Sequence, residues 1–425
     1  MTGVLPVTGT ACPLAAMIAA ALPPGRFPRL GVAVSGGSDS LALLHLLADR
    51  AAARTGAAGT ALAVVTVDHG LRPEAADEAA MVARVAAGLG LPHQVLRWRG
   101  WDGRGNLPDA ARRARYGLMA DWARAQGIAA VALGHTADDQ AETFMMRLAR
   151  GAGVDGLSAM APERRAQGIL WLRPLLAARR ADLRAALRAR GVGWADDPTN
   201  ADPAYARIRA RAALAALEPL GLGVPVLAEV SAHLREVRAA LDAQTHAAAQ
   251  ALTRAEAGDL VIDRAGLAAL PVEIRRRLLA AALRWIATSD YTPRGADLAR
   301  LMRAVEAGQG AALHGCLARP EGANLRLCRE PAAVAGVTAR PGDLWDGRWR
   351  LTGPATAEGC QIAALGEAGL AQCPDWRASG RPRLALSADP AVWRAGHLAA
   401  APLAGLALGW QVELARDFPS SLFSH

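Results

Sequence analysis

The first half of the chain alternates two hydrophobic periods. Short runs at 29–34, 61–67, 94–98 and 128–133 predict β-strands, with 61–67 buried and 29–34 ending in a glycine turn. Residues 40–50, 74–89, 107–126 and 137–150 instead place apolar side chains at helical spacing. This alternation predicts an α/β fold with a parallel sheet covered by helices on both faces. Ligands in such sheets bind beyond the carboxyl ends of the strands. The texture changes after residue 215. A Gly/Pro-rich break at 219–226 leads into an alanine-rich helix at 227–254, and two more helices are predicted at 272–288 and 293–307. From about 330 the pattern is short β-like pieces between Gly and Pro, such as 349–351 and 383–387. The expected organisation is a parallel-sheet nucleotide-binding domain at 1–215, a helical domain at 216–330 and a small β-containing C-terminal module at 331–425.

Composition narrows the function classes. A chain of 425 residues exceeds one hydrophobic core. Hydrophobic residues make up 52%, but aromatics only 4%, so alanine rather than a lipid-facing surface accounts for the apolar share. The uncharged stretch 398–412 contains Pro402, Gly405 and Gly409 and is too short to span a bilayer. Residues 11–22 are apolar with no cation before them, unlike a secretory signal. The expectation is a cytoplasmic protein with no membrane partner.

The 48 basic residues outnumber the 39 acidic ones, giving a formal charge of +9, and every one of those cations is arginine. A GC-rich coding bias would produce the same usage. An all-guanidinium chain nevertheless suits phosphate recognition, because the planar fork matches phosphate oxygens, so a nucleotide or nucleic-acid ligand is favoured. Five well-separated cysteines with no Cys-x-x-Cys pair argue against a zinc ribbon, an iron–sulfur site or a redox dithiol.

The local chemistry centres on Ser35-Gly36-Gly37-Ser38-Asp39-Ser40, after the first strand and at the start of a helix. Two glycines let backbone N–H groups approach phosphate, and the helix N-terminus favours negative charge. The serine hydroxyls add donors, and Asp39 can hold a Mg²⁺ that bridges phosphates. The bland alternative is a strand–turn–helix with a serine cap. Asp68 and His69 in Val67-Asp68-His69-Gly70-Leu71-Arg72 end the second strand, where they either cap it or line a site. Arg112 and Arg115, with Asn106 before them, share a helix face, as a solvated basic stripe or an anion clamp. His135, Asp138 and Asp139 follow the fourth strand in Gly134-His135-Thr136-Ala137-Asp138-Asp139-Gln140-Ala141-Glu142-Thr143. They serve as helix caps or recognise a nucleotide and an amine. A zinc site is disfavoured because no second His or Cys falls at ligand spacing. Trp194-Ala195-Asp196-Asp197-Pro198-Thr199-Asn200 reads as a turn, and the Arg207, Arg209 and Arg211 that follow form a helix face or a phosphate clamp.

The hexapeptide resembles the PP-loop of the N-type ATP pyrophosphatases. With Val67 to Arg72, Asn106, Arg112, Arg115-Tyr116, the Gly134 to Thr143 segment, Arg150 to Leu157, Arg173 to Leu175 and Trp194 to Asn200 with Arg207, the order and spacing over about 29–215 resemble the tRNA(Ile)-lysidine synthase family. Ile208 departs from the pattern, since many members carry Asn there. The resemblance implies ATP-dependent joining of free L-lysine to C2 of the wobble cytidine in the CAU anticodon of an isoleucine tRNA, through an adenylated cytidine, with release of AMP and pyrophosphate. It implies that Ser35, Gly36, Gly37, Ser38, Asp39 and Ser40 hold ATP, with Asp39 on Mg²⁺ and His135 beside the α-phosphate. Asp139 would face the lysine amine with Asp138 in support. Arg115 and Arg207 would steady the phosphate or cytidine, Arg112 would contact substrate, and Arg275 to Arg277 would hold tRNA phosphates. A homo-oligomer is compatible with the sequence. The rival readings are a tRNA-thiolating PP-loop enzyme, which usually needs paired cysteines, a non-catalytic RNA-binding module with a relict loop, and a small-molecule amidotransferase or synthetase.

Overall fold

The computed structural model describes residues 13–53, 59–70, 74–99, 101, 107–195, 206–289, 291–354 and 358–418. Arg72, Asn106 and the 196–200 turn lie outside the described residues. The chain forms two compact units that divide at Arg238/Ala239.

In the first unit, α1 (Pro13–Ala21) precedes β1 (Arg29–Ala33), α2 (Ser38–Ala52), β2 (Ala61–Asp68), α3 (Glu74–Gly88), β3 (His93–Arg97), α4 (Leu107–Ala125), β4 (Ala130–Leu133) and α5 (Ala137–Leu148). A short α6 (Val154–Leu157), the hairpin β5 (Glu163–Ala166) and β6 (Ile169–Leu172), α7 (Arg180–Ala189) and α8 (Ala206–Leu217) follow. The long helix α9 (Val224–Leu252) contains the unit boundary. The sheet order is β3-β2-β1-β4-β6-β5, and β5 alone runs antiparallel to its neighbour.

Alternation along the strands explains the two-sided burial. Leu30 and Val32, Leu62 and Val64, and Ala130 and Ala132 join one core with Leu41, Leu44, Val82 and Leu183 from α2, α3 and α7. Ala33, Ala63, Val65, Val131 and Leu133 join the opposite core with Met119 and Trp122 of α4 and Trp171 of β6. Both faces are apolar, so the strands read as continuous hydrophobic runs. The predicted α/β class and all four strands are present. The β5–β6 hairpin is an addition: Glu-Arg-Arg-Ala is a charged edge strand, so no hydrophobic period marks it.

The order 3-2-1-4 matters most. The chain leaves β1 toward β2 and β3, then returns to the other side of β1 as β4. The segments following β1 and β4 therefore diverge at a topological switch point, where such sheets bind ligands.

The second unit contains helices Val272–Ala287 and Gly295–Glu306, close to the expected bounds. Five short strands, Thr253–Glu256, Asp259–Asp263, Ala311–Leu313, Cys316–Glu321 and Asn324–Arg329, form an antiparallel sheet beside them. The purely helical expectation for 216–330 lacked this sheet, because its strands are three to six residues long. Two three-stranded sheets follow. Arg383–Ser387, expected as β-like, is a short helix with Ala385 and Leu386 buried; so short an apolar run does not distinguish the two by period. No single helix among the described residues is long and apolar enough to cross a membrane.

A Cβ on Gly134, just past β4, would stand 2.8 Å from Ser40 Cα, 2.9 Å from Ser40 N and 3.0 Å from Asp39 C. All three are backbone atoms of the first turn of α2, so no side chain can yield. Gly134→Ala is expected to cost about 1–3 kcal/mol by overpacking and to weaken ATP binding; urea unfolding and nucleotide titration check both.

Candidate active site at the sheet switch point

The loop after β1 is built for close backbone approach. Gly36 has φ +88°, and a Cβ there would also stand 3.1 Å from Met81 Cε. Gly37, the N-cap of α2, offers no side chain to the first N–H groups of the helix, so these remain donors for an anion. Ser40 Oγ donates to Gly37 O at 3.0 Å and accepts the Ser35 N–H at 3.2 Å. Those bonds make Ser40 a brace for the loop. Ser38 Oγ donates to Asp39 Oδ1 at 3.0 Å.

Across the switch point, Thr136 caps α5 in a reciprocal box. Its hydroxyl accepts the Asp139 N–H at 3.4 Å, while Asp139 Oδ2 accepts the Thr136 N–H at 2.9 Å. The capping expectation for Asp139 is therefore met by Oδ2, and Oδ1 faces the site. Asp138 Oδ2 caps a different helix, accepting the Arg180 N–H at the start of α7 at 2.7 Å, with Arg179 Nε at 3.6 Å.

The Arg180 side chain gathers these segments. Its Nε donates to Asp39 Oδ2 at 2.8 Å, Nη1 to Glu142 Oε1 at 3.2 Å and Nη2 to Asp139 Oδ1 at 3.3 Å. Glu142 is buried and also takes ion pairs from Arg207 Nε at 2.9 Å and Arg211 Nε at 2.6 Å. Arg207 Nη2 lies 3.9 Å from Asp139 Oδ1. Beside α7, Arg184 donates to Ser38 Oγ at 3.3 Å, and its guanidinium lies 5.5 Å from the Trp194 ring centroid.

Electrostatics divides the two aspartates. Burial raises Asp39, helped by Asp139, and Arg180 only partly offsets it. Asp139 is also pushed up by burial, but Arg180, Arg207 and His135 outweigh that and hold it below the usual carboxylate range. Burial drives the His135 imidazole down to about 3; Asp139 opposes the drop, and Arg173, Arg115 and Arg112 add to it. His135 is thus neutral near pH 7, and its buried Nδ1 has no hydrogen-bond partner. Arg115 is half-buried and lowered by desolvation, with Arg112 and Arg207 as nearby like charges. Arg112 is exposed, its guanidinium 5.3 Å from the Tyr116 ring centroid. Asp68 Oδ1 accepts the Gly70 N–H at 2.9 Å, and His69 meets Trp98 edge-on at 6.0 Å.

Of the sequence candidates, Asp39, Asp138, Asp139 and Arg207 converge on one network, and His135 and Arg115 stand within its field. Arg179 and Arg180 were missed as site residues, and Glu142 and Arg211 were read only within their motifs. One clue was available for Arg180: a cation in the first turn of a helix opposes the macrodipole, so it needs an anionic partner. Arg275, Arg276 and Arg277, expected on tRNA phosphates, are ion-paired with Glu306, Glu273 and Asp242. Among the described residues no cluster of three or more His, Cys, Asp or Glu forms a metal cage.

A PP-loop domain family profile matches residues 13–218. The chain is 54% identical over 400 residues to a tRNA(Ile)-lysidine synthase of Ruegeria pomeroyi, covering 93% of this chain and 94% of the relative. It is 45% identical over 283 residues to one of a Bradyrhizobium species, covering 64% and 78%. It is 42% identical over 325 residues to one of Methylobacterium nodulans, covering 74% and 94%.

Two outcomes follow from the geometry. Glu142→Gln leaves three arginines short of a buried counter-charge and should destabilise the fold by about 1–3 kcal/mol, since those partners still reach solvent; urea melts read this. For His135, the unfolded imidazole titrates near 6.5 and the folded one near 3. The unfolded state takes up the proton first, so this group's contribution is present above 6.5 and lost as pH falls through that window. Between pH 7.5 and pH 5 the urea midpoint should fall further for wild type than for His135→Asn. An equal fall would contradict the burial of the neutral ring.

Proposed function

The chain belongs to the tRNA(Ile)-lysidine synthase family, and on that premise we propose how its own residues perform the reaction. It is an ATP-using ligase that joins lysine to C2 of the wobble cytidine of the CAU anticodon of tRNA(Ile), through an adenylated cytidine. The observation that carries the assignment of roles is the meeting of the PP-loop and the α5 carboxylates at the β1/β4 switch point.

The N–H groups at the start of α2 receive the phosphates, with Ser35 and Ser38 lining the loop and Ser40 bracing it. The cytidine C2 carbonyl oxygen attacks the α-phosphate, and pyrophosphate leaves. Neutral His135 donates or accepts a hydrogen bond beside that phosphate without adding charge. Arg115 and Arg207 offset the charge that builds on the transferring group, with Arg112 at the exposed rim. Asp139, kept ionised, binds the lysine ammonium and accepts its proton as the amine attacks C2, and AMP departs. Asp138 supports this by fixing the start of α7. The hard oxygens of Asp39 fit Mg²⁺, which takes one or two protein carboxylates and fills its remaining positions with phosphate and water. When bound, such an ion would supply positive charge that offsets the phosphates.

The thiolating alternative finds no support in the cysteines. None lies between residues 13 and 238, and burial pushes the Cys316 and Cys328 thiols up to about 12, leaving them unreactive.

Labelled lysine should enter an unmodified isoleucine tRNA carrying CAU in an ATP- and Mg²⁺-dependent manner, and not the methionine tRNA with the same anticodon. Asp39→Ala should lower pyrophosphate release by at least about 100-fold while keeping a cooperative thermal transition. Pyrophosphate release with a different acceptor would overturn the substrate.

A further inference from the structure

Resting on the lysine-ligase reading of this site, we infer that Arg180 is an internal occupant of the lysine subsite: in the nucleotide-free enzyme its guanidinium holds the carboxylates closed to free lysine, and its transfer to phosphate when ATP binds opens them, so that nucleotide binds before lysine.

The contacts define the occupancy. One guanidinium reaches Asp39 at 2.8 Å, Glu142 at 3.2 Å and Asp139 at 3.3 Å, and the backbone N–H of the same residue is fixed to Asp138 at 2.7 Å. A cation tethered by its own helix acts at a high effective concentration, of about millimolar or more, which a free amino acid must exceed to displace it.

Charge explains why ATP should move it. Asp39, Asp138, Asp139 and Glu142 face Arg179, Arg180, Arg207 and Arg211, four anions against four cations. A triphosphate placed at the start of α2 meets Asp39 as a like charge unless a cation turns toward it. Arg180 already touches Asp39, and its fork suits phosphate bidentately. Arg184, one turn along α7, reaches Ser38, so that face of α7 already borders the loop and a change of side-chain rotamer suffices.

The consequence is selective. When Arg180 leaves, Glu142 keeps Arg207 at 2.9 Å and Arg211 at 2.6 Å. Asp39 loses its 2.8 Å pair as well and lies beside the incoming phosphate, so the carboxylate left short of a cation on the α5 side is Asp139, which among the described residues keeps only the 3.9 Å approach of Arg207. Its Oδ1 is then open to the lysine ammonium, while Oδ2 stays committed to the α5 cap.

Calorimetric titration of L-lysine into the full-length enzyme tests this, with and without the α,β-methylene analogue of ATP and Mg²⁺. Wild type should bind lysine at least about tenfold more tightly with the analogue, and lysine should tighten analogue binding by the same factor. Arg180→Gln should bind lysine with little dependence on the analogue, with Arg180→Lys, which keeps the charge but not the fork, in between. Equal lysine affinity in wild type with and without the analogue overturns the proposal by itself, whatever the variants do. An undiminished analogue dependence in folded Arg180→Gln overturns it too. No lysine binding in any condition, together with no lysine incorporation into tRNA, removes the functional reading as well, so the two failures are distinguishable.

Discussion

A single residue, Arg180, connects three helix starts that are remote in sequence: its guanidinium reaches α2 through Asp39 and α5 through Asp139 and Glu142, and its backbone N–H at the start of α7 is capped by Asp138. Each of those helices begins at the end of the sheet where the chain switches direction, so their positive dipole ends converge there. Carboxylates offset that local field, and arginines in turn compensate the carboxylates. The site is an alternating arrangement of charge in which every member depends on its neighbours. Removing any one leaves a partly buried charge exposed to the low local dielectric.

Such a network is poor at adding stability, because desolvation consumes most of the Coulombic gain. Its value is in exchange. A site that must receive a polyanion and an ammonium can be kept neutral beforehand by internal surrogates for both. In the proposed function Arg180 stands in for an incoming cation, and Asp39, Asp139 and Glu142 are the anions it holds until then. His135 fits the same logic: held neutral by burial and surrounding arginines, it leaves that charge balance undisturbed.

The second unit has a comparable arrangement. Buried Asp259 is shared between Arg326 at 3.1 Å and Arg381 at 3.0 Å, and Arg381 also pairs with Asp389. These contacts tie the five-stranded sheet to the small C-terminal sheets. Arginine also packs on the aromatic side chains of this unit, as with Arg348 lying 5.1 Å from the Trp285 ring centroid.

The sequence by itself determined the sheet. Apolar runs rich in β-branched residues, bounded by Gly and polar residues and alternating with helical periods, point to strands of a covered parallel sheet, and Ser35 to Ser40 and Gly134 to Thr143 lie at strand ends because the runs stop there. It also determined the chemistry on offer, since glycines before a helix start and adjacent aspartates are legible from residue type. The charged edge strand Glu163–Ala166 and the short strands between 253 and 329 escaped, because too few residues repeat for a period to emerge. Which charges meet was decided only by the tertiary structure. Helical spacing places Glu142 one turn beyond Asp138, but it says nothing of Arg180, 38 residues further on. Strand order brings the ends of β1 and β4 together, and Gly134 allows α2 to pack directly against the end of β4. Periodicity records which face of its own element a side chain occupies. The partner across the gap is set by how the elements pack, and packing carries no local signature in the chain.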